Sequence, residues 1–351
     1  MKISLIAIAL LFTATVLAEP VKYADRLNIE STAFSGPREI MISLPESYEN
    51  GSHNLYPVIY TVRGQLDMLA VIAAIDMLSS EAPEFIVVGI TGTGAEFIPA
   101  EEGEQSAFSV LLHNDVIPYI EEHYRTAPYS ILVGHSAAGK FVTNDWLRGG
   151  RDFSSYFAVS PELHDGKINT WAMSLSQEEV DSKNSLLISM GNEDQRMQMM
   201  FDELKGLASF ETTVNFIQFE DQTHMSGRVN TVMMGLRNSF KDWRPAKKVE
   251  SGKFEGLQAH YLELSERYGY EVAIPLETMK RESAFHSASN IEERWQVAAN
   301  IVEYALSKSP NDADEFIGIA DEMVGYGMVE GSHRLLSYIC EHASEHQRCK
   351  R

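Results

Sequence analysis

Strand-like and helix-like segments alternate from about Arg38 to Trp243, and this alternation constrains the fold more than any other feature of the chain. Seven apolar runs have the length of strands, at residues 39–44, 57–62, 85–90, 130–134, 156–159, 186–190 and 214–219. Helical patterns separate most of them, at residues 66–78, 108–124, 140–147, 197–207 and 229–243. Most of the strand-like runs lack polar alternation, which is typical of strands buried on both faces. The pattern predicts an α/β fold in which helices cover both faces of a mostly parallel sheet.

The C-terminal part has a different sequence pattern, because no strand-like run follows residue 250. Helical patterns at residues 295–307, 313–325 and 330–343 have the length and the short turns of tetratricopeptide-like pairs. Fewer than three repeats seldom stand alone, so we expect these helices to pack on the α/β domain or on a partner chain. The predicted organisation is an α/β domain at 19–245 followed by a small all-α region at 246–351.

The N-terminus has the pattern of a secretory signal peptide. Lys2 precedes an apolar run at residues 3–16, and Val16-Leu17-Ala18 offers a cleavage site before Glu19. The run is shorter than the roughly 20 apolar residues of a membrane-spanning helix. We therefore expect residues 1–18 to be removed and the mature protein to be periplasmic or secreted.

Two cysteines, Cys340 and Cys349, lie close to the C-terminus. In an oxidising compartment they could form a disulfide that ties the tail to the last helix, and the alternative is two free thiols. The sequence leaves both open, since a disulfide requires a specific geometry. Without a histidine at ligand spacing, the pair does not predict a zinc site.

Charge and motif content exclude several classes of function. The formal net charge is −21, from 50 acidic and 29 basic residues. Such a charge disfavours non-specific binding to nucleic acid or to an anionic membrane. Gly92-Thr93-Gly94 has no lysine at the spacing of a phosphate-binding loop. The sequence predicts neither a metal nor an organic cofactor.

A serine lies where a predicted strand meets a predicted helix, in the run Gly134-His135-Ser136-Ala137-Ala138-Gly139. A sharp turn at this junction exposes the serine Oγ and places backbone N–H groups beside it. A serine hydroxyl is a weak nucleophile, so an adjacent base must activate it. The run therefore predicts a nucleophile elbow with Ser136 as the nucleophile.

An acid and a base follow Ser136 in the order that α/β-hydrolases use, with the acid after a late strand and the histidine after the last one. Glu193 follows the strand at 186–190, and His224 follows the strand at 214–219. His224 would take the proton from Ser136, and the carboxylate would orient the imidazole. Asp194, Asp221 or no carboxylate at all are the alternatives to Glu193.

The developing oxyanion needs preorganised donors, and removal of one typically costs on the order of 3 kcal/mol. The backbone N–H of Ala137, directly after the nucleophile, is one candidate. The backbone N–H of Gln65 is the other, because Arg63-Gly64-Gln65 turns from a strand into a helix. Arg63 itself could meet an anionic group of a substrate or form a surface salt bridge.

The chain resembles the putative-esterase family of α/β-hydrolases, which includes trilactone siderophore esterases and S-formylglutathione hydrolases. The resemblance rests on six motifs in order: Tyr60-Thr61-Val62-Arg63-Gly64, Ile117-Pro118-Tyr119-Ile120-Glu121 with Tyr124-Arg125-Thr126, Gly134-His135-Ser136, Ser160-Pro161, Gly191-Asn192-Glu193 and Glu220-Asp221-Gln222-Thr223-His224. It covers about residues 33–243, and the closest branch carries a tetratricopeptide-like helical extension. The resemblance implies Ser136, Glu193 and His224 as catalytic residues, with oxyanion donors at Gln65 and Ala137.

Three positions depart from the family pattern. Ala138 replaces the usual glycine, which we expect the elbow to tolerate because only a methyl group is added. Arg63 stands where the family often has aspartate, so any role of that aspartate is absent. The loop at 91–97 lacks the arginine that siderophore esterases carry there, which weakens the prediction of an acidic siderophore substrate.

The sequence as a whole predicts a secreted serine hydrolase that cleaves carboxylic ester or thioester bonds through an acyl-serine intermediate. One alternative is a binding module with an inactive hydrolase fold whose C-terminal helices recruit a partner. Another is acyl transfer to a second alcohol from the same elbow. We expect a small-molecule ester as the ligand, and a protein partner or a second copy at the C-terminal helices stays open.

Overall fold

An eight-stranded sheet is the centre of the computed structural model, which describes residues 22–49, 54–100, 105–250 and 252–350. Its strands are β1 (Asp25–Ile29), β2 (Arg38–Ser43), β3 (Tyr56–Val62), β4 (Ile86–Ile90), β5 (Thr126–His135), β6 (Ser155–Val159), β7 (Ser185–Asn192) and β8 (Val214–Thr223). Their order across the sheet is β1-β2-β4-β3-β5-β6-β7-β8. Pairing is antiparallel from β1 to β4 and parallel from β4 to β8. The predicted mostly parallel sheet is confirmed.

All seven predicted strands are present, and one more strand was missed. β1 lies at the edge of the sheet, and most of its residues are exposed or half-buried. Its sequence, Asp25-Arg26-Leu27-Asn28-Ile29, is therefore largely polar and lacks the apolar run that marks the buried strands. By contrast, every residue of β3, β4 and β6 is buried, as expected for strands covered on both faces.

Helices cover both faces of the sheet. They are α1 (Gly64–Met77), α2 (Ala107–Val110), α3 (Ile117–His123), α4 (Ala137–Arg148), α5 (Lys167–Ser174), α6 (Gln177–Asp181), α7 (Gln195–Lys205) and α8 (Gly227–Ser239). A π-helical stretch, Leu111–Val116, joins α2 to α3. Side chains of α1 and α8 pack into the core on one face, whereas those of α2 to α7 pack into the core on the other. Alternate strand residues follow the same division, with Ile131 in the first core and Leu132 in the second.

The C-terminal part is helical, as predicted. It contains α9 (Lys247–Glu250), α10 (Phe254–Tyr268), α11 (Leu276–Ser287), α12 (Glu292–Lys308), α13 (Ala313–Gly325) and α14 (Val329–His342). Helices α10 to α14 share one hydrophobic core with the α1 and α8 face of the sheet. The ring of Phe240 lies 5.0 Å from that of Tyr268 between centroids, and Trp243 lies 6.2 Å from Tyr261. Tetratricopeptide character and the boundary at 245 stay predictions.

The last helix is joined to the tail by a disulfide between Cys340 and Cys349, which decides between the two alternatives left by the sequence. The predicted signal peptide, residues 1–18, lies outside the described residues. Within the described ranges, no helix combines the length and the apolar character needed to cross a membrane.

Candidate active site

Strained backbone marks the carboxyl edge of the sheet. Among the described residues, the non-glycine residues with positive φ are Arg63 (φ 64°), Ser136 (φ 60°) and Ser160 (φ 38°). Each directly follows a parallel strand, namely β3, β5 and β6. Such conformations persist only where the surrounding structure holds them, and they cluster at functional sites. Ligands of open α/β sheets also bind at this edge, so the candidate site lies here.

Ser136 occupies a sharp turn between β5 and α4, as the elbow motif predicts. Its backbone has φ 60° and ψ −121°, and its N–H donates to the carbonyl of Val159 at 3.0 Å. The turn requires glycine at 134, since a Cβ there would lie 2.4 Å from the carbonyl oxygen of Ala138. Ala138 is fully buried within this turn, so the elbow accommodates the alanine that replaces the family glycine.

The two predicted oxyanion donors lie in the first turns of α1 and α4. N–H groups in a first helical turn have no partner within the helix, and the helix dipole adds a partial positive charge. Gln65 fixes its own turn, because its Nε2 donates to the carbonyl of Gly92 at 2.5 Å. The same loop approaches the elbow, since a Cβ on Gly94 would lie 4.0 Å from that of Ala137. One loop therefore binds the turn of Gln65 and passes close to the turn of Ala137.

Glu193 and His224 form a hydrogen bond in which His224 Nδ1 donates to Glu193 Oε1 at 2.9 Å. The side chain of Glu193 is 9% exposed and that of His224 is 35% exposed. An irregularity in the pairing of β7 and β8 brings the two together, because it sets Asn192 opposite Thr223. A Cβ on Gly191 would lie 2.9 Å from backbone atoms of Thr223, so this close pairing requires glycine.

Of the other two candidate carboxylates, Asp194 has different partners. Asp194 caps α7 by accepting from the backbone N–H groups of Arg196 and Met197. It also accepts from His164 Nε2 at 2.7 Å, and this hydrogen bond lowers the pKa of Asp194 and raises that of His164. Asp221 is exposed. Of the three carboxylates that the sequence offered, the structure places Glu193 against the base.

His224 lies beside the elbow. Its ring centroid is 4.6 Å from that of His135, the residue directly before Ser136. His135 is buried, and burial lowers its pKa to about 4. Its Nε2 donates to the backbone carbonyl of His224 at 2.7 Å. The pair of His224 and Glu193 thus lies against His135, the residue before Ser136, and the His224 side chain is 35% exposed.

A group of charged side chains next to this site was not anticipated from the sequence. Arg63 Nε donates to Asp67 Oδ2 at 3.1 Å, and Arg228 Nη1 donates to Asp67 Oδ1 at 2.9 Å. Arg63 Nη2 also donates to Nδ1 of His135 at 2.9 Å. We call Arg63, Asp67, His135 and Arg228 the Asp67 cluster. The surface salt bridge considered for Arg63 is wrong, because its side chain and that of Asp67 are 16% and 5% exposed.

One sequence signal could have indicated part of the cluster. Arg63 and Asp67 are four residues apart at the start of α1, the spacing of an ion pair on one face of a helix. The contacts of His135 and Arg228 join residues far apart in the chain, so no local pattern indicates them.

The described residues hold no group of three or more histidine, cysteine or acidic side chains arranged to bind a metal ion. Two cavities of about 100 Å³ lie away from the site, one beside Phe157 and Gly235 and the other beside Val58 and Tyr60.

Comparison with known proteins places this geometry in a family. The model of the putative esterase family matches residues 31–250. No sequence among the curated proteins matches the chain. An IroE-like serine hydrolase from Shewanella oneidensis has a similar structure, with a TM-score of 0.60 and 21% identity over 79% of this chain and 98% of its own.

Two further solved structures share the fold. An uncharacterised protein from Capnocytophaga ochracea has a TM-score of 0.59 at 14% identity, over 90% of this chain and 99% of its own. The siderophore hydrolase EstB from Aspergillus nidulans has a TM-score of 0.53 at 18% identity, over 66% of this chain and 99% of its own. These likenesses confirm the predicted α/β-hydrolase fold.

Proposed function

The chain belongs to the putative esterase family, and from that premise we propose that it hydrolyses carboxylic ester or thioester bonds through an acyl intermediate on Ser136. The observation that carries the proposal is the hydrogen bond from His224 to Glu193 beside a strained Ser136. A histidine held by a buried carboxylate is the base that activates a serine in such sites, and Ser136 is half-buried in the turn after His135, whose ring packs on that of His224.

In the first half of the reaction, Nε2 of His224 takes the proton of Ser136 Oγ as the oxygen attacks the substrate carbonyl carbon. The carbonyl double bond becomes a single bond, and its oxygen gains the negative charge. Glu193 accepts the Nδ1 proton of His224 in a hydrogen bond, which fixes the tautomer and stabilises the imidazolium. His224 then gives its proton to the leaving alcohol or thiol as the tetrahedral intermediate collapses.

The backbone N–H groups of Gln65 and Ala137 would stabilise the oxyanion. Their positions support this role, since both lie in first helical turns at the carboxyl edge. A single loop binds the turn of Gln65 and passes close to that of Ala137. Each donor of this kind contributes on the order of 3 kcal/mol to the barrier reduction. In the second half of the reaction, water attacks the acyl carbon while His224 takes its proton. The bond to Ser136 Oγ then breaks, His224 returns the proton to Ser136, and the carboxylic acid leaves.

Labelling with a fluorophosphonate tests the proposal directly. We expect the wild-type protein to be labelled at Ser136, and we expect Ser136→Ala to lose both the label and the hydrolysis of simple aryl esters. A folded wild-type protein that takes no label would overturn the proposal. The same result would favour the alternative in which the hydrolase fold is an inactive binding module. Added alcohols separate hydrolysis from acyl transfer, since only transfer gives a new ester.

We also propose that the protein acts outside the cytoplasm. Support comes from the signal-like pattern of residues 1–18 and from the disulfide of Cys340 with Cys349, since disulfides persist in oxidising compartments. Expression of the whole chain in a bacterium followed by fractionation tests this. The periplasmic or culture fraction should contain a protein that begins at Glu19, and an uncleaved cytoplasmic product would contradict the proposal.

A further inference from the structure

Asp67 is a buried carboxylate that binds two guanidinium groups. Its side chain is 5% exposed, and its two oxygens accept from Arg63 at 3.1 Å and from Arg228 at 2.9 Å. A buried carboxylate needs such partners, because desolvation otherwise makes its charge costly. Asp67 lies on α1, two residues after the oxyanion candidate Gln65.

The first path from Asp67 to the base passes through Arg63 and His135. A guanidinium only donates, so Nδ1 of His135 must accept the hydrogen bond from Arg63 Nη2 at 2.9 Å. The ring proton then lies on Nε2, which donates to the backbone carbonyl of His224 at 2.7 Å. Arg63 therefore selects the tautomer of His135 that can donate to the loop carrying His224.

The second path passes through Arg228. Its Nη1 binds Asp67, and its Nε donates to the backbone carbonyl of Met225 at 2.9 Å. Nη1 also donates to the carbonyl of Leu66 at 3.2 Å, in the same turn as Gln65. Two consecutive carbonyls, those of His224 and Met225, thus accept from His135 and Arg228. Arg228 binds Asp67 directly, and His135 is connected to it through Arg63.

We propose that Asp67 is a positioning residue that fixes His224 relative to the turn of Gln65. It acts through Arg63 and His135 on one path and through Arg228 on the other. This inference rests on the proposed function. Asp67 itself contacts neither Ser136 nor the ring of His224 through any described hydrogen bond. Its effect is geometric, and a misplacement of about 1 Å in such a site can cost about 100-fold in rate.

Two substitutions of His135 separate positioning from packing. His135→Leu keeps a side chain of similar bulk but removes both hydrogen bonds. His135→Gln keeps a terminal N–H donor that can reach the carbonyl of His224. For esters of simple alcohols, we expect His135→Leu to lower kcat by at least 10-fold with KM within twofold, and His135→Gln to recover most of the loss. Asp67→Asn should likewise lower kcat by at least 10-fold with KM within twofold.

His113→Leu is the matched control. His113 is a mostly buried histidine that bonds to Asp145 at 2.9 Å, and neither residue belongs to the candidate site. We expect His113→Leu to lower the melting temperature while leaving kcat unchanged. The positioning role is overturned if the kcat of His135→Gln is as low as that of His135→Leu. It is also overturned if the kcat of each variant merely follows its folded fraction.

A second measurement does not depend on turnover. The proton shared by His224 Nδ1 and Glu193 should give a low-field imidazole resonance in the NMR spectrum of the wild-type protein. We expect Asp67→Asn and His135→Leu to broaden or remove it, and His113→Leu to retain it. Retention in all three variants would overturn the positioning role. Failure of the proposed function would appear instead as a wild-type protein that is neither labelled nor active.

Discussion

Glu193 differs from its neighbour Asp194 in its hydrogen bond with His224. It accepts the Nδ1 proton of His224 at 2.9 Å, whereas its neighbour Asp194 caps α7 and accepts from His164. The two carboxylates are adjacent in sequence and have the same chemistry. Because their contacts differ, their substitutions should have very different effects on catalysis.

We expect Glu193→Gln to lower kcat by about 1,000-fold, because a neutral amide neither stabilises the imidazolium nor fixes its tautomer. Asp194→Asn is the control, and it should leave kcat within about twofold since asparagine also caps helices well. Steady-state hydrolysis of an aryl ester measures both. Equal losses in the two variants would contradict the assignment of Glu193 as the acid.

His135 should make the stability of the protein depend on pH. Burial lowers its pKa to about 4 in the folded state, against about 6.5 in an unfolded chain. Between these values the unfolded chain binds more protons, so stability is full above pH 6.5 and is lost as the pH falls toward 4. The loss attributable to His135 is about 2 kcal/mol at pH 5.

Urea denaturation at pH 7.5 and at pH 5 measures this loss. Other groups also titrate in this range, so the informative quantity is the difference between the wild-type protein and His135→Gln, which cannot titrate at this position. We expect the free energy of unfolding to fall more steeply in the wild-type protein. Identical pH dependence in both would show that the pKa of His135 is the same in the folded and unfolded states.

At the scale of elements, the contact between the start of α1 and β4 positions the turn of Gln65. A Cβ on Gly64 would lie 2.3 Å from Cα of Gly89, and the neighbouring atoms that it would meet belong to the backbone. Backbone cannot move aside as the tip of a side chain can, so the turn tolerates no larger residue. The sequence indicates the turn through Arg63-Gly64-Gln65 but not the strand against which it packs.

Gly64→Ala should destabilise the protein by about 3 kcal/mol, the cost of overpacking a tight contact. Gly256→Ala in α10 is the control, because a Cβ there meets nothing within 4 Å. Alanine in a helix is favoured over glycine, so this variant should gain about 0.5 kcal/mol. Thermal or urea unfolding measures both, and equal stability of the two variants would contradict the contact.

The elements also show how far a local pattern predicts structure. The apolar runs that became β3, β4 and β6 were evident because strands buried on both faces are apolar throughout. The last residues of β8 were missed, since Glu220, Asp221 and Gln222 are polar. Their pairing depends on the irregular register with β7, which no local propensity encodes.

For the whole molecule, the C-terminal helices complete a core that begins at the sheet. Phe240 and Trp243 follow α8, and their rings contact Tyr268 and Tyr261 of α10. Burial of each large side chain contributes about 1.5–3 kcal/mol, and the total stability of a protein is about 5–15 kcal/mol. Loss of the helices would therefore remove a large share of that stability.

Deletion of residues 251–351 should accordingly give an insoluble or non-cooperatively unfolding product. Deletion of residues 344–351 alone is the control, because it removes the tail and the disulfide but keeps α10 to α14. We expect this shorter deletion to fold and to retain esterase activity. Gel filtration and thermal unfolding measure the outcome, and a stable, active fragment ending at residue 250 would contradict the shared core.

The sequence alone determined the α/β architecture and the sharp turn at Ser136, and it placed Glu193 and His224 after late strands, because hydrophobic periodicity and strand-to-helix turns are local properties of the chain. Only the tertiary structure decided that Glu193 rather than Asp194 contacts His224, and that Arg63 binds Asp67 and His135. These choices depend on strand register and on contacts between distant segments. Such contacts arise when the chain packs, so no local pattern in the sequence encodes them.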